Sequence, residues 1–212
     1  MSLYLVKTPN LIKKLFNRLV WSFNTSEKVL FLTFDDGPTP EITPFILKTL
    51  KQYNAQATFF CVGENIQKHP EVFQEIIGKN HAIGNHTFNH LKGWKTTNYN
   101  YINNTDKAQL TIEKFKKTKL KLFRPPYGKI GYFQSKKLLS KGYKIIMWDV
   151  LSGDFDSNIT KEKVLSNVLK NSTNGSIIVF HDHQKAFDNL KFTLPKVLEY
   201  FNVKGYRFEA IK

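Results

Sequence analysis

From residue 29 onward the hydrophobic positions alternate between two rhythms. Short apolar runs, rich in β-branched and aromatic residues, occur at Val29 to Phe34, Ala57 to Val62, His81 to Asn85, Leu120 to Arg124, Lys144 to Val150, Ser176 to His181 and Tyr206 to Ile211. Their length and composition predict strands. Between them lie longer segments with apolar residues three and four apart, such as Ile42, Phe45, Ile46, Leu50 and Tyr53, or Val164, Leu165, Val168 and Leu169, and these predict amphipathic helices. Thr39, ahead of Pro40 and Glu41, reads as the N-cap of the first. Gly78, Gly142 and Gly205 each follow a helical segment, where a left-handed terminating residue is needed. About seven strand-plus-helix units in series imply a parallel sheet, because parallel neighbours need a crossover. The expected fold is α/β, a distorted parallel (β/α) barrel with about seven strands. An open doubly wound sheet is the competitor, but it usually brings a glycine-rich phosphate loop, and no such pattern occurs in this chain.

The first 28 residues read differently. Leu11, Ile12, Leu15, Phe16, Leu19 and Phe23 trace a stripe at helical spacing, while Lys13, Lys14 and Arg18 interrupt every apolar stretch before it reaches the length of a signal-peptide core or a membrane span. The expectation is an amphipathic extension over 1–28 packed on a single domain over 29–212; a helix lying on a membrane surface is the other reading. With no signal peptide visible, the default compartment is the cytoplasm, with envelope association open.

Composition narrows the classes further. At 212 residues with 41% apolar content, the chain can bury a real core. Its net charge of +15 would attract polyanions. The lysines are densest from Lys107 to Lys121, with no nucleic-acid-binding motif around them, so a solvated helix face is expected and no specific nucleic-acid partner. The sequence names no protein partner. A lone cysteine, Cys61, excludes an internal disulfide and sits in an apolar run, as a small core residue does.

In parallel α/β architectures, ligand sites form at the carboxyl ends of strands, and the chemically capable residues collect there. Asp35 and Asp36 follow the first run, His86 and His90 the third, Arg124 the fourth, Asp149 and Asp154 the fifth, and His181 with Asp182 the sixth. His86 and His90, at i and i+4, can share one face of a helical turn and bind one metal ion. A carboxylate from another strand end would complete a two-histidine, one-aspartate set that leaves a position open for water. Neighbouring residues on a strand point in different directions, so one aspartate of the pair can ligate metal while the other faces the water. His69 and His81 lack ligand spacing, His183 could join a metal cluster but reads as a loop histidine, Trp148 reads as core or pocket wall, and the polar, aromatic segment Asn98 to Asn104 could line a sugar groove but reads as a plain loop.

In order along the chain, "TFDDGP", "HTFNH", "RPPYG", an aspartate-bearing segment after "MWDV", and "IIVFHD" resemble the motifs of the polysaccharide deacetylases, carbohydrate esterase family four, also called the NodB homology domain. The resemblance covers about residues 29–212. It implies a metal-dependent hydrolase that removes N-acetyl groups from an acetylated aminosugar polymer or oligomer, peptidoglycan-like or chitin-like. It implies Asp35 as catalytic base and Asp36, His86 and His90 as ligands of one divalent ion, zinc first, with cobalt, nickel or manganese as alternatives. Arg124 then holds the base, the backbone N–H of Tyr127 donates to the oxyanion, and His181 is the acid, paired with Asp154 ahead of Asp149. Tyr127, Phe155 and Val179 would contact substrate. The fourth motif departs from the family pattern, with Leu151 where an acidic residue is usual and Phe155 in place of a tryptophan; Val179 replaces a leucine. Phe155 keeps an apolar wall for an acetyl methyl but has no indole N–H. These departures bear on specificity. They leave as rivals an O-acetyl esterase or small-amide deacetylase on the same fold, and a non-catalytic glycan-binding relative.

Overall fold

A run buried on both faces can be almost wholly apolar, and β1 (Val29–Asp35) shows that pattern, with every residue buried. The structure, a computed structural model, describes residues 4–117 and 120–212. Around β1 stand β2 (Thr58–Cys61), β3 (Ala82–Asn85), β4 (Lys121–Phe123), β5 (Tyr143–Ile145), β6 (Val150–Leu151), β7 (Ile177–His181) and β8 (Arg207–Phe208). Their order is β5-β4-β3-β2-β1-β7-β6, with β8 beside the start of β1, and every ladder is parallel. The curled sheet and its helices make the expected distorted (β/α) barrel. Phe34 stacks between Phe59 and Phe180, at 5.0 and 6.0 Å between ring centres, and so ties the three central strands together. Register then sets the height of the chemistry, because Asp35 pairs with His181 across one ladder and with Phe60 across the other. Cys61 is buried and free.

The run predicted as one strand over Lys144 to Val150 is two, because residues 146–149 leave the sheet at the barrel's seam. The N-terminal segment fills that seam. Val20 N–H donates to Ile145 O (2.9 Å) and Val20 O accepts from Met147 N–H (2.7 Å), while Thr8 N–H reaches Asp149 O (2.9 Å) and Leu151 N–H reaches Val6 O (2.8 Å). Asp149, 2% exposed, takes salt bridges from Lys7 (2.6 Å) and Lys13 as well as a hydrogen bond from Ser176. It therefore serves as an anchor for this segment.

Those polar attachments correct the expected packing of the N-terminal stripe. Only α1 (Asn10–Leu15) is helical, it buries no residue, and Leu11 and Leu15 are 77% and 73% exposed. Leu19, Val20, Trp21 and Phe23, beyond the helix, do pack on the core.

Four local expectations also change. Thr39 Oγ1 donates to Asp182 O (2.6 Å) and caps nothing; α2 (Ile42–Gln52) starts after Glu41, at φ 67°. After α3 (Gly63–Lys68), helix α4 (Pro70–Gly78) includes Gly78, and Asn80 takes the left-handed position at φ 62°, which asparagine tolerates. Gly142 and Gly205 do have positive φ. Residues 98–104 form the start of α5 (Asn98–Glu113), capped by Thr97 Oγ1. In the lysine-dense stretch, Lys107 lies on α5 over the Phe88 ring, whereas Lys114, Lys116 and Lys117 follow the helix and Lys121 opens β4; Lys119 lies outside the described residues. The remaining helices are α6 (Tyr132–Ser140), α7 (Lys161–Asn171) and α8 (Phe187–Val203). Among the described residues no helix is long and apolar enough to cross a membrane.

Candidate active site

The carboxyl ends of β1, β3, β4 and β7 open into one cleft of about 680 Å³. Asp35 and Asp36 leave β1 in different environments. Asp35, 3% exposed, points at Arg124, whose Nη1 donates to Asp35 Oδ1 (2.7 Å) and to Thr33 Oγ1 (2.6 Å). The guanidinium is fully buried, stacks 4.2 Å from the Phe60 ring centre, and spends its other donors on Met147 O (2.9 Å) and Ile146 O (3.2 Å). The break between β5 and β6 thus supplies the carbonyls that satisfy this arginine. A planar five-donor fork suits such a pocket, and lysine could not replace it.

Asp36 turns out of the sheet at φ 89°, and its Oδ1 lies 3.1 Å from His90 Nε2 and 3.6 Å from His86 Nε2. One donor atom from each of the three falls within 4.8 Å of the others. His86 Nδ1 lies 2.8 Å from the Arg124 carbonyl; a carbonyl can only accept, so Nδ1 carries the proton and Nε2 is left as a ligand atom. Burial pushes the His86 pKa down to about 4, outweighing Asp35 and keeping the ring neutral. Burial works to raise Asp36, but the hydrogen bond from His90 and the charge of His181, the leading opposing causes, hold it well below the usual carboxylate range. Two imidazoles and one carboxylate are a fitting donor set for a divalent ion.

The two histidines do not share a helical turn, as their spacing suggested. Residues 86–90 form an irregular loop in which Thr87 and His90 have φ of 64° and 55°, a costly conformation for a β-branched residue. Neighbours hold it in place. Asn85 Oδ1 accepts from Thr87 N–H (2.8 Å), Asn104 Oδ1 from Phe88 N–H (2.7 Å), and the first turn of α3 donates to Thr87 O and Phe88 O. Asn104, in a segment read as loop, is thus a support of the site.

Across the cleft, His181 Nδ1 lies 2.8 Å from Asp154 Oδ1, and His181 N–H donates to Asp154 Oδ2 (2.8 Å). Ser152 Oγ adds a third hydrogen bond to this fully buried carboxylate (3.0 Å). Burial lowers the His181 pKa, but the charge and hydrogen bond of Asp154 prevail and bring it up to about 9. Asp154, and not Asp149, is the carboxylate that meets His181. Phe155 meets the His181 ring edge-on at 5.1 Å and packs on Tyr4; Leu151 and Val179 line the same wall. Tyr127 adopts φ 59° on the opposite rim, 4.6 Å from the His90 ring. Trp148 lines the cleft too, under Gly128, where a Cβ would come within 2.5 Å of its ring. His183 reaches the rim, and its Nδ1 accepts from Lys185 N–H (3.1 Å).

Sequence patterns gave Asp182 no role, yet it carries the Asp35-Asp36 turn. Its Oδ1 accepts from Gly37 N–H (2.8 Å) and its Oδ2 from Thr43 Oγ1 (2.6 Å). Any side chain at position 37 would run into this carboxyl. Burial pushes the Asp182 pKa up to about 8 despite both hydrogen bonds. Asparagine could keep both contacts, donating from its amide to Thr43. Asp182→Asn should therefore unfold near the wild-type temperature, whereas Asp182→Ala, which strands Gly37 N–H, should lose about 1–3 kcal/mol; thermal melts check both.

Other proteins share this frame. Residues 23–146 match the family model described as polysaccharide deacetylase. A peptidoglycan-N-acetylglucosamine deacetylase of Bacillus cereus is 34% identical over 194 residues, covering 91% of each chain. The peptidoglycan-N-acetylmuramic acid deacetylase PdaA of Bacillus subtilis is 29% identical, over 89% of this chain and 72% of its own. The crystal structure of the Bc1960 peptidoglycan N-acetylglucosamine deacetylase, in complex with 4-naphthalen-1-yl-N-oxidanyl-benzamide, superimposes with a TM-score of 0.84 at 33% identity, covering 96% of this chain and 95% of that one. With more than half of its length matched to the family and a relative aligned along nearly all of it, this protein belongs to the polysaccharide deacetylases, a family of metal-dependent hydrolases.

Proposed function

We propose that this chain deacetylates N-acetylglucosamine units of a peptidoglycan-like glycan, with Asp35 as base, His181 as acid, and Asp36, His86 and His90 holding a zinc ion. The carrying observation is Asp36 Oδ1, at 3.1 and 3.6 Å from two histidine nitrogens, next in sequence to a carboxylate fixed by a buried arginine. Two imidazoles and a carboxylate suit zinc, and cobalt, nickel and manganese are the alternatives. Such an ion, when bound, polarises the acetamide carbonyl and makes water a better nucleophile.

The chain's own groups do the rest. Asp35, oriented by Arg124, takes the proton of the attacking water. The N–H of Tyr127 donates to the oxygen that gains charge, and a donor of this kind is worth roughly 10²–10³ in rate. Carbon–nitrogen cleavage needs a proton on the departing amine, which His181 supplies while Asp154 keeps it charged. Tyr127, Phe155 and Val179 border the space for the acetyl group and its sugar. Leu151, apolar where the family pattern is acidic, favours a neutral or apolar contact there. The named relatives support peptidoglycan over a chitin-like polymer, and support envelope association over a free cytoplasmic role.

The test is acetate release from N-acetylglucosamine oligomers, peptidoglycan, acetylated xylan and a small acetamide at equal metal loading. Release from the first two, abolished by a chelator and restored by zinc, is expected. Faster release from xylan would favour the O-acetyl esterase, and tight glycan binding without turnover would favour the non-catalytic relative. The pH profile adds a check on His181. Its acid form persists to high pH because of Asp154, so Asp154→Asn should move the alkaline limb of kcat downward by about one unit or more. A bound dication works against His181 protonation in both proteins alike.

A further inference from the structure

Outside the catalytic cleft, the N-terminal segment and α6 border a second groove of about 630 Å³. Leu15, Phe16, Trp94 and Tyr132 line it at exposed positions, and Ile12, Leu19, Ile130 and Leu139 line it half-buried. The first four are not covered by the protein: Leu15 is 73% exposed, Trp94 67% and Tyr132 65%. Leu11, one helical turn before Leu15, and Phe133, packed edge-on against Tyr132, extend the apolar surface. So large an exposed apolar surface marks an interaction site.

Charge identifies the kind of partner. The groove is built from residues 12–21, 94 and 128–147, and the surrounding stretches 1–26, 76–105 and 114–148 contain none of the chain's 17 acidic residues. Lys14, Arg18, Lys95, Lys136 and Lys137 are all exposed in them. A second copy of a chain with net charge +15 would bring like charges face to face. Asn17, Arg18, Ser135 and Lys136 also line the groove, but Ser135 Oγ already donates to Tyr132 O (2.8 Å) and Trp94 Nε1 to Ile130 O (3.0 Å), which leaves a sugar chain few neutral hydrogen-bonding partners. Exposed leucine and aromatic side chains inside a ring of cations instead match a surface that is apolar within and anionic at its face.

We infer that this face docks on an anionic lipid bilayer, with Leu11, Leu15, Phe16, Trp94, Tyr132 and Phe133 entering the headgroup boundary and the surrounding lysines and arginine meeting lipid phosphates. The turn at 127–129 borders both grooves, so the catalytic cleft would open beside the membrane. This does not depend on the catalytic reading.

The test is co-sedimentation of the full chain with vesicles of phosphatidylcholine alone, or of phosphatidylcholine and phosphatidylglycerol in equal parts. The protein should pellet with the mixed vesicles and not with phosphatidylcholine. The double variant Leu15→Ser/Phe16→Ser should weaken partitioning about tenfold or more, and Lys14→Glu/Arg18→Glu should weaken it most at low salt, with the difference from the wild type shrinking as salt rises. Circular dichroism, and unchanged acetate release from a soluble oligomer, would show that the serine variant is folded. Failure of the wild type to pellet overturns the inference. So does equal pelleting by the serine variant, which leaves charge attraction alone. A dimer in light scattering, or retention on insoluble glycan, lost in that same variant would overturn it in favour of self-association or a sugar platform.

Discussion

Asp36→Ala should leave a folded protein that retains no stoichiometric zinc and releases no measurable acetate, a loss of about 10³-fold or more. Asp36 is the one anionic member of the three-residue group, and His90 leans on it at 3.1 Å. Removing it leaves two imidazoles, one on an irregular loop, as the whole donor set. Its backbone, by contrast, is held independently of the side chain, by Asn65 Nδ2 on the carbonyl (2.8 Å) and by Phe60 O on the N–H (3.2 Å), so the turn should survive. Asp35→Asn gives the contrast that identifies the roles. It should keep the ion, keep a hydrogen-bonding partner for Arg124, and lose about 10²–10⁴ in kcat, the range for a general base. Dialysis followed by metal analysis, beside acetate release, separates the two. Zinc retained by Asp36→Ala with activity intact would sink the assignment.

Arg124→Met should be the most destabilising single change in the site, because it acts on folding and chemistry together. The guanidinium is fully buried and answers Asp35, Thr33 and two carbonyls. Deleting one partner of a buried ion pair leaves an unpaired charge, at about 3–5 kcal/mol. For a domain of this size that corresponds to a melting temperature lower by roughly 6–20 °C. Asp35 would be freed from its fixed orientation, and His86 would lose a rigid Arg124 backbone as its hydrogen-bond acceptor. Arg124→Lys separates the effects: the charge stays, the fork does not. It should recover part of the melting temperature but little of kcat. Full activity in Arg124→Lys would show that charge alone suffices. Thr33→Val, which removes the hydrogen bond from Arg124 and the one that Thr33 Oγ1 donates to Ile178 O (2.8 Å), should cost about 1–3 kcal/mol.

Much of the fold is visible in local chemistry. β1 is almost uniformly apolar because both faces are buried, and the helix periods of α2 and α7 follow directly from spacing. The break between β5 and β6 is not visible, because "YKIIMWDV" is locally as good a strand as any; what divides it is the arginine beneath and the N-terminal segment alongside. The same holds for α1. Helical spacing describes which residues share a face, but whether that face is covered depends on where Lys7 and Lys13 find their shared partner, Asp149.

The candidate site divides along the same line. Sequence determined which side chains stand at strand ends, since strand length and alternation are properties of neighbours, and it determined that an aspartate pair, two histidines, an arginine and a distant histidine are available. Tertiary structure decided how they are used. Register sets Asp35 level with His181, a loop with two left-handed residues turns His86 and His90 toward Asp36, and Asp154 rather than Asp149 meets His181. The parts played by Asp182 and Asn104 emerged only then, because both act on backbone N–H groups far away in the chain. Local sequence fixes torsional preference and polarity. Distances between segments are set by packing, which no short stretch contains.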